Sequence, residues 1–298
     1  MILEEQDIEK AKKSGKIASE ALQYAKTLIK PGASLLEVTN KIEDKIKELG
    51  GEPAFPVQIS MNDIAAHFCP ASDDKTVLKD QLVKIDIGVH IDGFIGDNAL
   101  TVDLSNENQD LVKASREAVD NALKIIKPGV KLREIGKVIH ETITKYGFSP
   151  IRNLSGHGLD EYNIHTKPSI PNYDNGDETE LEENQLIAIE PFATKGAGIV
   201  YESSNAAVFS LIKKRPVRMP IVRNVLNEID KFKGLPFTSR WLEKKFSPAQ
   251  VRLALNQLIK SEIIREYPPL IDKNHGLVSQ AEHTVIVKEN PIITTKTF

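Results

Sequence analysis

One cysteine, Cys69, stands in a chain of 298 residues, and that scarcity excludes an internal disulfide framework and every cysteine-rich zinc site. Any metal must then be held by oxygen and imidazole. Long apolar runs are missing as well: none approaches the eighteen or so residues that a membrane span needs. The amino terminus, Met1-Ile2-Leu3-Glu4-Glu5-Gln6-Asp7, is acidic and lacks the basic head and apolar stretch of a secretion signal. These absences lead us to expect a soluble, cytoplasmic chain with no membrane partner. At 40 % hydrophobic and 27 % charged residues the chain can bury a substantial core, and its length calls for one large domain plus a smaller one.

What is present is a set of charges in apolar surroundings. Asp86, Asp97, His157, Glu190 and Glu282 each lie in a short strand-like run. In Lys84-Ile85-Asp86-Ile87-Gly88 and Ile187-Ala188-Ile189-Glu190-Pro191 a carboxylate is embedded among β-branched residues, where its ionised form is costly unless a cation receives it. A set of buried ion pairs is the bland alternative. Four such carboxylates and a histidine favour a metal site.

Two of the five can be joined by geometry. Leu82 to His90 and Ile91 to Leu104 read as strands around Asp92-Gly93, a dipeptide suited to a two-residue type I′ hairpin. That turn sets Ile91 opposite Phe94, Gly88 opposite Asp97 and Asp86 opposite Ala99. Side chains alternate, so Asp86, Gly88 and Asp97 share a face, with the aspartates roughly 7 Å apart at their backbones. Gly88 is expected to leave room for an ion between them. A loop one residue longer would turn Asp97 to the other face.

The chain also repeats itself at an offset of 97 residues: Lys30-Pro31-Gly32 matches Lys127-Pro128-Gly129, and Gly50 matches Gly147. Each copy predicts a helix ending at Lys-Pro-Gly. A second helix follows with apolar residues at helical spacing (Leu35, Val38, Ile42, Ile46; Leu132, Ile135, Ile139, Ile143), closed by glycine. Strands with candidate ligands come after each copy, so a pseudo-two-fold with a site between its halves is expected. From Gly198 to Asp272 the composition shifts: 13 basic residues stand against 7 acidic, net +6, while the rest carries 26 against 35, net −9. That segment predicts three short helices, over Ile221 to Phe232, over Arg240 to Phe246, and from Ser247 as N-cap with Pro248 in the first turn, then a strand over Ile263 to Tyr267. It reads as a small helical, winged-helix-like insertion (198–272) in a catalytic domain formed by 1–197 and 273–298. A solvated scaffold is its first reading and nucleic-acid binding its second.

With Gln280-Ala281-Glu282-His283-Thr284 the resemblance becomes specific. This segment, Lys84-Ile85-Asp86-Ile87-Gly88, Gly96-Asp97, Gly156-His157-Gly158 and Ile189-Glu190-Pro191 occur in the order and spacing of the methionine aminopeptidases. The basic insertion between the two glutamates makes the chain resemble the type II enzymes of archaeal kind, over essentially its whole length. The resemblance implies an α+β "pita-bread" fold, two halves enclosing a dinuclear centre. It implies two divalent ions (Co, Mn, Fe or Zn), with Asp86 bidentate on one, Asp97 and Glu282 bridging, and His157 and Glu190 completing the other, and a water activated between them as nucleophile. His67 resembles the histidine that contacts the substrate backbone near the scissile bond, and His165 the one that stabilises the tetrahedral intermediate. Phe55 and Ile164 resemble walls of the methionine pocket. His283 is expected on the opposite face from Glu282, and His90, His140 and His275 take no role.

The expected function is removal of the initiator methionine from nascent proteins with a small second residue. The insertion would help the enzyme, a monomer, dock on the ribosome. Two alternatives stand beside it. An X-Pro dipeptidase or aminopeptidase shares fold and ligands but usually carries an extra amino-terminal domain. A non-catalytic RNA- or ribosome-binding relative would have lost ligands, and all five are present here.

Overall fold

Two helical hairpins of one design frame the molecule: α1 (Glu5–Leu28) with α2 (Leu35–Glu48), and α3 (Gln109–Leu123) with α4 (Leu132–Lys145). The computed structural model describes residues 1–203 and 205–296. Leu35, Val38, Ile42 and Ile46 are buried along α2, and Leu132, Ile135, Ile139 and Ile143 along α4. Each such side chain contributes about 1.5–3 kcal/mol by leaving water. Both second helices stop at a left-handed glycine, Gly50 (φ +83°) and Gly147 (φ +81°), a conformation that costs a side-chain-bearing residue more.

The repeat holds in detail. Gly32 N–H donates to Leu78 O at 2.8 Å and Gly129 N–H to Leu181 O at 2.8 Å; Leu35 N–H reaches Thr76 O at 2.9 Å and Leu132 N–H reaches Thr179 O at 2.9 Å. It is imperfect at one place: α3 ends at Leu123, ahead of Lys127-Pro128-Gly129, where the expected helix would have continued.

The helices lie on a curled antiparallel sheet. Across it run Glu52–Pro53, the first hairpin (Leu82–Ile91 and Phe94–Asp103), the return strand Glu282–Ile286, the strand Leu186–Ile189, and the second hairpin (Ser155–Asp160 and Asn163–Pro171). The return strand thus joins the two halves. Each half has its own buried cluster, one around Ile42, Ile59 and Ile85, the other around Leu111, Ile139 and Ile187. A third cluster draws from both halves and contains Phe55 and Ile164. The first hairpin has the register that Asp92-Gly93 demands: both turn residues have positive φ, Ile91 faces Phe94, Gly88 faces Asp97 and Asp86 faces Ala99.

Among residues 206–264 a separate apolar cluster forms around Phe209, Val225, Phe237 and Leu258. It is built from α5 (Pro220–Ile229), α6 (Ser239–Leu242), α7 (Pro248–Lys260) and a three-stranded sheet ordered Phe237–Thr238, Val208–Leu211, Ile264–Tyr267. Ser247 caps α7, its hydroxyl accepting from Gln250 N–H while Gln250 Oε1 accepts from Ser247 N–H. The flanking strands Val200–Glu202 and Leu270–Asp272 pair with each other, and the second also pairs with Ile64–Ala66 of the first half.

Candidate metal centre and substrate cavity

Sheet register assembles the candidate ligands into two neighbouring rows. Ala99 faces Asp86 on one side and Glu282 on the other. Two positions along, Asp97 faces Gly88, and Ala188 faces both Thr284 and His157. Thr284 links these pieces where the return strand and the first hairpin part: its hydroxyl accepts from Asp97 N–H at 2.8 Å and donates to Asp97 O at 2.8 Å. Glu190 stands two residues from Ala188, on the same face by alternation. Between the ligands the rows carry Ala99 and Ala188, so the charged groups meet over small side chains.

Glu282 is the common member of two triads. Asp97, His157 and Glu282 each bring a ligand atom within 4.8 Å of the others, and so do Asp86, Glu190 and Glu282. Asp97 Oδ2 lies 3.9 Å from His157 Nε2. At that spacing Glu190 groups with Asp86 in the second triad. Gln280, two residues ahead of Glu282, helps hold it there, donating to Glu190 Oε1 at 2.7 Å and to Asp86 Oδ2 at 3.4 Å. The period-two pattern could have flagged Gln280.

The electrostatics of this cluster call for a cation. Asp86 Oδ1, Asp97 Oδ1 and both Glu282 oxygens are buried with no hydrogen-bond partner. Burial pushes Asp86 up to about 7. Burial first, and neighbouring carboxylates second, push Asp97, Glu190 and Glu282 well above the usual carboxylate range. Burial, aided by His165, lowers His157 to about 3, which keeps its imidazole neutral at physiological pH. Its Nδ1 lies 3.3 Å from Gly158 O, which assigns the proton to Nδ1 and the lone pair to Nε2, the nitrogen that faces Asp97. Orphaned hard oxygens with one imidazole lone pair fit a divalent ion of the Mn, Fe, Co or Zn type.

Gly88 does not leave space for that ion. A Cβ built there would meet Phe55 Cε1 at 2.1 Å, so the missing side chain admits the Phe55 ring, and the sequence expectation is corrected on this point. Phe55 in turn lines a cavity of about 280 Å³ beside the carboxylates, together with Ile164, His67 and His165. His67 adopts φ +68°, unusual for a residue with a side chain, and its N–H donates to Gln58 Oε1 at 2.6 Å. Its Nδ1 is 3.2 Å from Pro268 O, leaving Nε2 as the acceptor, and burial lowers it to about 4. His165 opens into the cavity with its ring 4.6 Å from that of His157; surrounding protein, then Arg265, lower its pKa.

Sequence reasoning missed two further groups. Tyr267 lies edge-on to His67 at 5.6 Å between ring centroids and 6.5 Å from His165. It lines the cavity with Val208 and Pro236, all from the 198–272 segment, and no local pattern marked them. Lys84 is fully buried, its ammonium donating to Asn62 O at 2.8 Å and Val278 O at 3.0 Å, and burial brings it down to about 7. His283 points away from the carboxylates, as expected, with Nδ1 2.9 Å from Thr295 Oγ1. A larger groove of about 770 Å³, bordered by Lys13, Lys47 and Lys244, holds no comparable ligand cluster among the described residues.

The chain is similar to known proteins along nearly its whole length. The chain is 50 % identical over 287 residues to a methionine aminopeptidase of Thermococcus onnurineus, covering 95 % of this chain and 97 % of the relative. It is 46 % identical over 297 residues to one from Methanocaldococcus jannaschii, covering 99 % of this chain and 100 % of that one. A crystal structure of methionine aminopeptidase from Thermotoga maritima superposes with a TM-score of 0.73 at 25 % identity, covering 100 % of this chain and 99 % of that one. With its α+β pita-bread architecture, and with a family model matched over residues 9–289, the chain belongs to metallopeptidase family M24.

Proposed function

We propose that this chain is a metal-dependent methionine aminopeptidase that removes the initiator methionine from nascent proteins whose second residue is small. The observation that carries the reading is the convergence of Asp86, Asp97, His157, Glu190 and Glu282, with orphaned oxygens, beside an apolar-walled cavity. These five residues would hold two divalent ions, drawn from Co, Mn, Fe and Zn. Bound there, the ions would supply Lewis acidity, polarising the scissile carbonyl and making water nucleophilic near neutral pH.

The remaining roles fall to the chain's own groups. His67 and His165, both neutral at physiological pH, orient the substrate backbone, and His165 donates to the oxygen on which charge develops. Phe55 and Ile164 wall the pocket for the first side chain, which suits flexible, unbranched methionine and leaves a charged residue without a partner. Residues 198–272 form an insertion domain that contributes Val208, Pro236 and Tyr267 to the same cavity. Its surface residues Lys213, Lys214, Arg215 and Arg218 would draw the cytoplasmic, monomeric enzyme to ribosomal RNA. Reversing those four charges should weaken ribosome co-sedimentation at low salt and leave tripeptide turnover alone; unchanged co-sedimentation sinks the docking role.

The test of the activity is a peptidase assay with Met-Ala-Ser, Met-Leu-Ser and Ala-Pro-Ser, with chelator and with each divalent metal restored. Rapid, chelator-sensitive cleavage of Met-Ala-Ser alone is expected. Cleavage of Ala-Pro-Ser at the same rate would replace this reading with an X-Pro peptidase.

A further inference from the structure

We propose that the buried ion pair between Arg240 and Glu43 is a positioning device. It fixes the insertion-borne wall of the substrate cavity and thereby sets selectivity for the first residue, an inference that rests on the aminopeptidase reading above. The pair joins the insertion to α2 of the first half, and its side chains are only 5 % and 4 % exposed. It is bidentate: Arg240 Nη2 donates to Glu43 Oε1 at 2.6 Å and Nη1 to Glu43 Oε2 at 2.9 Å. Nη1 also donates to Asn40 Oδ1 at 2.7 Å, one turn earlier on α2, and Trp241 Nε1 donates to Glu43 Oε2 at 2.9 Å.

From this anchor a single row of the insertion sheet leads to the site. Thr238, two residues before Arg240, pairs with Val208, and Val208 pairs on its other side with Tyr267. Val208, Tyr267 and Pro236 line the cavity, and Tyr267 is the residue set edge-on to His67. One edge of the row is therefore held by the ion pair, and the opposite edge meets the histidines. At its two ends the insertion is stitched by Val200–Glu202 and Leu270–Asp272; the edge remote from that stitching is held by the Arg240 anchor together with Leu235, buried in the third apolar cluster, and Lys233, which donates to Tyr162 Oη at 2.8 Å. A buried ion pair gives little net stability over apolar residues of the same shape, and its best-attested use is to fix one register. Arg240 touches neither the candidate ligands nor the cavity; it acts through Thr238, Val208 and Pro236.

The experiment uses the metal-loaded full chain carrying Arg240→Met, Arg240→Lys, Glu43→Gln, or the exchanged pair Glu43→Arg/Arg240→Glu. KM for Met-Ala-Ser should rise about tenfold in Arg240→Met with kcat changed by no more than about twofold, since a displaced wall weakens binding of ground and transition state alike. Preference for Met-Ala-Ser over Leu-Ala-Ser should narrow. Trp241 is the sole tryptophan, so its emission should shift to the red and quench more readily in the same variants. The exchanged pair should recover part of the KM. Should Arg240→Met fail to fold, Arg240→Lys and Glu43→Gln carry the same comparison, because both keep the volume and lose the fork. Unchanged KM and Trp241 emission in a folded variant, or a loss confined to kcat, would overturn the positioning role. Absence of Met-Ala-Ser cleavage by the unaltered chain would instead overturn the aminopeptidase reading.

Discussion

The two halves share a scaffold and differ in what they place on it. Their helical hairpins end in left-handed glycines at matching positions and make the same backbone bonds to the loops that follow. The hairpins they support diverge. The first is regular from Leu82 to Asp103 and presents two carboxylates, Asp86 and Asp97, in a register set by a two-residue turn. In the second the register shifts on either side of Gly158, where a Cβ would strike Lys167 O at 2.1 Å. One ligand, His157, comes from that hairpin, and the other, Glu190, sits just past the end of a separate strand. The irregularity leaves His165 opening beside His157. Regular pairing thus puts two carboxylates on one face, while the broken hairpin brings two imidazoles, His157 and His165, side by side.

The strongest way to break this comparison is to remove one carboxylate from each half. Asp97→Ala and Glu190→Ala should each abolish Met-Ala-Ser turnover at saturating metal while the circular dichroism melt stays cooperative, since neither group supports the apolar clusters. Substantial turnover in either variant would mean that half does not serve the metals. Next, His165→Ala should lower kcat by roughly 10² to 10⁴ with metal content unchanged. Loss of an ion, measured on the purified variant, would make His165 a metal ligand and not a group that acts on substrate alone.

A smaller effect concerns protons. The carboxylates have raised pKa values, Asp86 about 7 and the others well above the ordinary range, so protons compete with a cation already as pH falls through about 7. Divalent-ion affinity should therefore drop between pH 8 and 6, and titration calorimetry in buffers of different ionisation enthalpy should detect proton release on binding. Affinity independent of pH over that range would contradict the shared burial of the four groups. The smallest expected effect tests the likeness itself. Gly50→Ala and Gly147→Ala, each at positive φ with open space around the missing Cβ, should cost about the same, roughly 1 kcal/mol apiece. Urea melts differing by well over that amount would show that the two helix ends are not equivalent.

Much of this was legible in the chain. The offset of 97 residues exposed the duplicated scaffold, because helix ends need glycine and buried helix faces need apolar spacing wherever they lie. Asp92-Gly93 fixed the first hairpin, since a two-residue turn with positive φ puts Asp86 and Asp97 on one face and a loop one residue longer would not. Ligand candidates stood out as charges in strands that had no other use for them. The register shifts beside His157 were hidden, because a bulge depends on which backbone approaches, here Lys167 O against Gly158.

The roles of small and distant residues also lay beyond local pattern. Gly88 reads as space for an ion until Phe55, from a separate loop, is seen to fill it. Tyr267 meets His67 across about two hundred residues of sequence, and Arg240 meets Glu43 at a separation of 197. By itself the sequence determined the elements, the repeat and the identity of the candidate ligands, since these follow from local propensity and from the cost of burying charge. Tertiary structure alone decided how the triads share Glu282, which ring occupies the glycine gap and what closes the cavity, because each of these depends on side chains brought together only when the two halves and the insertion pack.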